Sequence, residues 1–275
     1  MRQITDLKEM QTLLKALMQV VHTICEENGL VYTLSGGSLL GAVRHQDIIP
    51  WDDDIDITMP RADYNRFKEI VAAQYADRFD LYDFPQDGYV YPFMKFCKKG
   101  TVLYEDVLKE KYRKLGLYID IFPVDGVTEA DKAAYDKRIN YIEKNKVRAA
   151  LCVTKPTASP TWWKKPFVIV NWLRSACFSI RGYKHYIQNQ VDAMMRDRFE
   201  DCDRVALVYY KSIGWNAVVD KTMYLDRKLY PFGEYEFWGL SDAHTILQGQ
   251  YGDYMQLPPE DKRTPCHNYR LFVEE

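Results

Sequence analysis

Three observations predict a mixed α/β fold. Helical and strand-like periods of apolar residues alternate through roughly the first 125 residues. From Lys132 onward the pattern turns helical and charged, and residues 209–275 are aromatic and loop-rich. The length, 275 residues with 47% hydrophobic and 28% charged side chains, suffices for one large core or a core with an elaboration. The expected organisation is a mixed-sheet core over 1–130 and a largely helical, aromatic-rich region over 131–275 packed on it.

Each element has a local reason. Leu7, Met10, Leu14, Leu17, Val21 and Ile24 recur at steps of three and four, which marks an amphipathic helix with one stripe for the core. Asp6 suits its start and Gly29 its end. Residues 30–34 are a β-prone run that closes in Ser35-Gly36-Gly37-Ser38, and 39–45 follow as helix or turn. Residues 55–59 alternate as a second strand closed by Pro60. Helical spacing returns over 62–76 through Tyr64, Phe67, Ile70 and Val71. Residues 89–97 and 101–104 read as a strand pair turning at Lys98-Lys99-Gly100, and 117–122 as an apolar strand carrying one acid, Asp120. Helices are expected over 133–152, over 167–180 and on to about residue 199, with a break at 155–166.

Composition removes several function classes. A formal net charge of -2 supplies no global basic field, so no nucleic-acid partner is expected. The six cysteines form no C-x-x-C pair, which argues against a zinc ribbon or a redox motif. They read as reduced, mostly buried thiols of a cytoplasmic protein. Residues 1–28 are charged and periodic rather than signal-like, and no run of 18 uncharged apolar residues predicts a spanning helix.

Chemistry concentrates in Trp51-Asp52-Asp53-Asp54-Ile55-Asp56-Ile57. Four carboxylates in five positions repel one another unless a cation or solvent offsets the charge. Asp54 and Asp56 flank Ile55 on the expected strand, so both point to one face, as suits a hard divalent ion. Asp52 shares that parity if the strand starts early, whereas Asp53 points away, solvated or capping a turn. A solvent-facing acidic loop is the alternative, and the apolar flanks Ile48-Ile49-Pro50 and Ile57 weigh against it. Upstream, Gly36 and Gly37 let the backbone approach a ligand, and with Ser38 they suit phosphate oxygens. Asp120 in its apolar strand needs a partner, for which Asp54, Asp56 and a metal would serve.

The runs Ser35-Gly36-Gly37-Ser38-Leu39-Leu40-Gly41-Ala42-Val43-Arg44-His45 and Ile49-Pro50-Trp51-Asp52-Asp53-Asp54-Ile55-Asp56-Ile57 resemble the LicD family of phosphocholine transferases, of the nucleotidyltransferase-fold superfamily. Fukutin-like sugar-alcohol phosphate transferases belong to the same group. Ile119-Asp120-Ile121-Phe122-Pro123, Tyr251-Gly252-Asp253-Tyr254-Met255 and His267 fit it too. The resemblance implies a nucleotidyltransferase-fold core and a metal site of Asp54, Asp56 and Asp120, with Asp52 as helper, for Mg²⁺ or Mn²⁺. It implies Asp120 as the base for an acceptor hydroxyl, and Gly36, Gly37 and Ser38 at the donor phosphates. Arg44 and Lys95 are candidates to neutralise phosphate, though each reads equally as a surface cation. His45 and His267 read first as structural loop histidines, with His267 kept among the substrate-binding candidates.

The implied reaction moves phosphocholine from CDP-choline to a hydroxyl of a cell-surface glycan or its lipid-linked precursor, releasing CMP. Ribitol- or glycerol-phosphate transfer, small-molecule nucleotidyl transfer and a non-catalytic membrane-peripheral assembly role are the alternatives. Among 21 Tyr and 6 Trp, the candidates for a choline cage are Trp51, Tyr235, Trp238 and Tyr254. Residues 162–181 are apolar, with tryptophan beside lysine at the start. They read as a core helix or as a peripheral contact with the inner face of the membrane.

Overall fold

The computed structural model describes residues 1–112, 114–155, 165–265, 267 and 269–274; for 165–169, 171 and 172 it describes the helix and not the side chains. The first helix, α1 (Leu7–Asn28), is capped by Asp6, whose carboxylate accepts the Lys8 N–H at 3.0 Å. Gly29, at φ 63°, ends it by turning the chain into the left-handed region. Met10, Leu14, Leu17, Met18, Val21 and Ile24 are buried against the sheet, each contributing about 1.5–3 kcal/mol. Leu7 is only partly buried.

The main sheet carries strands β1 (Arg2–Ile4), β2 (Thr33–Leu34), β3 (Asp56–Pro60), β4 (Phe79–Tyr82), β5 (Met94–Glu105), β6 (Lys114–Gly126) and β11 (Tyr269–Val273), in the path β1-β11-β5-β6-β3-β2. Pairing along this path is antiparallel except between β3 and β6, which run parallel. Helices α2 (Gly36–His45) and α3 (Arg61–Gln74) flank β3 in sequence. The expected strand pair over 89–104 is instead one strand. β5 runs through Lys98-Lys99-Gly100 with a register shift between Lys98 and Leu103. Its two halves share β6 on one edge, while β4 and then β11 line the other. A bulge eased by Gly100, at φ 75°, therefore replaces the predicted turn.

Beyond residue 130 the chain is less uniformly helical than its periodicity suggests. Helices α4 (Lys132–Val153), α5 (Lys165–Ser179) and α6 (Tyr183–Met194) pack on one another. Strands β7 (Arg204–Ala206) and β8 (Val219–Asp220) then extend the end of β6. After α7 (Lys221–Leu225) comes a separate hairpin of β9 (Arg227–Phe232) and β10 (Tyr235–Leu240). Helix α8 (Ala243–Tyr251) follows, and β11 returns to the main sheet. A boundary at 130 therefore cuts across that sheet.

A core position does not account for all of α5. Val170 and Leu173 are 50% and 54% exposed, and Ile180, just past its end, is 85% exposed. Trp162, Trp163 and Lys164 lie outside the described residues. No helix among the described residues is long and apolar enough to cross a membrane. Cys25, Cys97, Cys152 and Cys202 are buried as expected, whereas Cys177 is exposed.

Candidate active site

The parallel pairing of β3 with β6 sets Asp56 directly opposite Asp120. In register on adjacent strands, the two side chains emerge on the same face of the sheet. The strand starts at Asp56, one residue later than the sequence suggests, so Asp54 lies in the approach to it. Both backbone groups of Asp56 are held. Its N–H donates to Ser38 Oγ at 2.9 Å, and its carbonyl accepts from the Ser35 N–H at 3.0 Å. Asp120 is tied back by its own N–H to the Ile55 carbonyl, at 3.1 Å.

Two further devices fix the acidic loop. Gln11, buried on α1, donates its amide to the carbonyls of Ile49 (3.1 Å) and Asp52 (2.8 Å). The glycines of α2 admit close neighbours. A Cβ at Gly37 would lie 2.8 Å from Asp52 Oδ2, and one at Gly41 would lie 2.6 Å from the Asp47 carbonyl oxygen. Only residues without a Cβ allow the helix to approach this closely.

Asp54, Asp56 and Asp120 line one cavity of about 370 Å³. Its other walls are Lys95, Lys146, Glu105, Asp106, Val107, His267 and the rings of Tyr91, Phe93, Tyr118, Tyr209, Tyr210 and Tyr269. A second cavity of about 300 Å³ is lined by Gly36, Gly37, Ser212, Gln250 and Tyr251. The two share Asp56 and Tyr210.

Burial and mutual repulsion dominate the electrostatics. Burial, then the charges of Asp54 and Asp53, push the Asp52 carboxyl up to about 7. Asp56 is pushed well above the usual carboxylate range by burial and by Asp54 and Asp120. Asp54 is raised by burial despite the opposing influence of His267, and Asp120 by burial despite Lys95. Burial alone would lower the His267 pKa, but its hydrogen bond to Asp53 and the nearby acid charges outweigh that and raise it. A cluster of carboxylates held in this state has the donor chemistry of a hard divalent cation site.

The residues whose ligand atoms approach most closely are not that set. Among the described residues, atoms of Asp53, Asp54 and His267 lie within 4.8 Å of one another. Both Asp53 oxygens are engaged by His267, one by the ring Nδ1 (2.9 Å) and one by the backbone N–H (3.3 Å). We read that trio as a clamp that holds the acidic loop against the approach to β11. Asp54, Asp56 and Asp120 remain the candidate ligands because all three face the cavity.

Asp53 is therefore neither solvated nor a turn cap but a buried partner of His267, which also stacks on Tyr269 with ring centroids 4.7 Å apart. Lys95 is no surface cation. It is 2% exposed, and its ammonium is 2.7 and 3.0 Å from the two Asp120 oxygens. The Tyr118 ring lies beside it, 3.4 Å from the centroid. Ser38 is buried with its oxygen on Asp56 N–H, and it lines neither cavity. Arg44 donates to the Tyr254 carbonyl (2.7 Å) and to His45 Nε2 (3.0 Å), away from both cavities.

The proposed cage residues are also committed elsewhere. Trp51 meets His45 edge-on, and Tyr235 stacks on Phe237. The Trp238 indole donates to Glu26, and the Tyr254 hydroxyl meets His244. Sequence reasoning missed Tyr91, Glu105, Tyr118, Lys146, Tyr210 and Tyr269. Alternation could have found two of them: Tyr118 is two residues from Asp120 on β6, and Tyr269 is two from His267.

Comparison with known proteins places the acid-bearing strands within a family match. The family described as LicD/FKTN/FKRP, nucleotidyltransferase domain, matches residues 29–159. The lipopolysaccharide cholinephosphotransferase LicD of Haemophilus influenzae is 29% identical over 272 residues, covering 97% of this chain and 98% of that protein. The human ribitol 5-phosphate transferase FKRP is 41% identical over 61 residues, which is 22% of this chain and 12% of that protein.

Proposed function

Residues 29–159 belong to the LicD/FKTN/FKRP nucleotidyltransferase-domain family, and from that premise we propose that the protein transfers phosphocholine from CDP-choline to a sugar hydroxyl. The acceptor is a cell-surface glycan or its lipid-linked precursor. The full-length similarity to a lipopolysaccharide cholinephosphotransferase supports the reaction class. The observation that carries the reading is the register pairing of Asp56 with Asp120, with Asp54 beside them, in a cavity otherwise walled largely by aromatic rings.

Asp54, Asp56 and Asp120, with Asp52 nearby, would hold Mg²⁺ or Mn²⁺, which offsets charge on the donor diphosphate. Gly36 and Gly37 border the adjoining cavity, where the nucleotide half of the donor fits against bare backbone. Lys146 lines the cavity over the rings of Tyr209 and Tyr210 and supplies positive charge toward the phosphates. Asp120 accepts the proton of the acceptor hydroxyl as its oxygen attacks the choline-bearing phosphorus. The bond from that phosphorus to the bridging oxygen breaks, and CMP leaves with the electron pair. Lys95 holds Asp120 in place through both carboxylate oxygens.

Ribitol-phosphate transfer is the second reading, favoured by the local similarity to FKRP. Incubation with CDP-choline, CDP-ribitol and CDP-glycerol, scoring CMP release with and without Mg²⁺, separates the two. Metal-dependent CMP release from CDP-choline is expected. Release from CDP-ribitol alone would replace the donor, and pyrophosphate release from a nucleoside triphosphate would replace the reaction.

The proposal includes contact with the inner face of an anionic membrane through 162–181. The exposed apolar side chains Val170, Leu173 and Ile180, interleaved with exposed Arg174 and Arg181, support it.

A further inference from the structure

Glu105 is a buried acid that forms no ion pair among the described residues. It is 6% exposed at the end of β5, and its carboxylate accepts hydrogen bonds from the hydroxyls of Tyr91 and Tyr118, the latter at 3.3 Å. The Tyr118 hydroxyl also meets that of Tyr269 at 2.5 Å. Among the described residues no lysine, arginine or histidine forms an ion pair with Glu105. Lys95, on the same strand and in the same cavity, gives its ammonium to Asp120. Two phenol donors offset only part of the hydration lost on burying a carboxyl group.

The setting of this acid is specific. Glu105 lies opposite Tyr269 in the β5–β11 register, and both line the cavity that holds Asp54, Asp56 and Asp120. Tyr91 and Tyr118 supply two more ring walls. Lys95 sets its ammonium over one face of the Tyr91 and Tyr118 rings, 4.7 and 3.4 Å from their centroids, and the ring surface left beside Glu105 suits a cation that needs no hydrogen bonds. A quaternary ammonium is such a cation: it binds ring faces and takes a counter-charge at a distance. A polyol has no use for the anion and would want donors and acceptors along its length.

We propose that Glu105, Tyr91, Tyr118 and Tyr269 form the seat for the trimethylammonium head of the donor. The assignment rests on the choline reading of the same cavity. Glu105 and the rings bind the head while Asp54, Asp56 and Asp120, which line the same cavity, face the phosphate. Glu105 thereby selects the head group without touching the reacting phosphorus.

The test uses the full chain and reads binding as well as turnover. Choline chloride is titrated into wild type and Glu105→Gln, followed by intrinsic fluorescence, with CMP titrated as control. Steady-state kinetics on CDP-choline accompany the titrations. The expected result is weakening of choline binding by about 10–100-fold in the variant, with CMP binding unchanged. KM for CDP-choline should rise by a similar factor with little change in kcat. Tyr269→Phe, which keeps the ring, should retain most choline binding, whereas Tyr269→Ala should lose it. Equal choline binding by wild type and Glu105→Gln, or none by wild type, overturns the seat. Choline binding that depends on Glu105 in a protein that does not turn over CDP-choline keeps the seat and overturns the donor assignment instead. If Glu105→Gln lowers kcat and CMP binding together, the acid is structural and the proposal fails.

Discussion

Replacing Lys95 by Met tests the electrostatic core of the site. The Lys95 ammonium and the Asp120 carboxylate are 3% and 11% exposed and make two contacts, at 2.7 and 3.0 Å. Removing one member of a buried, doubly bonded pair leaves an uncompensated charge and costs about 3–5 kcal/mol. For a chain of 275 residues that corresponds to a fall in Tm of roughly 5–9 °C. The loss depends on pH with a definite sign. Burial already raises Asp120 above the usual carboxylate range, and Lys95 opposes that rise. Without Lys95 the folded-state pKa rises further, so the folded protein binds a proton that the unfolded chain has released. Stability then falls as pH rises through that window, and the penalty is smaller near pH 5 than near pH 8. Thermal or urea unfolding of Lys95→Met, Asp120→Asn and the double variant provides the measurement. The double variant should be more stable than the sum of the single losses predicts, by about 0.5–3 kcal/mol. A loss below about 1 kcal/mol in Lys95→Met, or strict additivity, would refute the reasoning.

Three further outcomes are expected. Mg²⁺ at about 100 times its Kd should stabilise the protein by about 2.7 kcal/mol. The Tm shift should shrink as pH falls, because protons compete for the raised carboxylates. Asp56→Asn should abolish both that shift and transfer while cooperative unfolding persists, and full transfer by this variant would sink the metal assignment. In co-sedimentation with anionic vesicles, wild type should pellet and the Trp162→Ala, Trp163→Ala double variant should not; negligible binding by both would end the membrane assignment.

What could be read from the sequence was what depends on local period and local chemistry. The stripe on α1, its Asp6 cap and its Gly29 end are all decided within a few turns of chain, and the structure has them. Strand parity singled out Asp54 and Asp56, but the strand begins at Asp56 and it is the shared cavity that brings Asp54 to it; Asp120 stood out because an acid in an apolar strand asks for a partner. The role of Ser38 was misread for a physical reason. Its hydroxyl can bond a phosphate or a backbone N–H, and only the pairing of β2 with β3 brings the Asp56 N–H within 2.9 Å. Lys95 was ambiguous on the same ground, since nothing local reveals that β5 pairs with β6 and sets it opposite Asp120. The bulge at Lys98–Leu103 hid a continuous strand behind a turn-like Lys-Lys-Gly. The strand β11 escaped because five residues in a loop-rich tail carry too short a period to stand out.

These long-range pairings have a consequence for how the site divides its work. The acids come from β3 and β6, which pair in parallel and belong to the segment matched by the family. The proposed head-group seat draws on the far half of β5 and on β11, which pair antiparallel and bring residue 269 back from the end of the chain. Asp120 and Tyr118 share β6, two residues apart, so one strand joins the two regions. Changes at Tyr269 or Glu105 therefore leave the register of Asp56 with Asp120 intact, because no hydrogen bond of that ladder passes through β11. On this arrangement a sheet can keep one set of carboxylates for the substitution at phosphorus while the group carried by that phosphorus is chosen on the neighbouring strands β5 and β11. The clamp between His267 and Asp53 is the exception, since it ties the approach to β11 directly to the acidic loop. His267 also stacks on Tyr269, so one imidazole touches both the proposed seat and Asp53, the neighbour of Asp54.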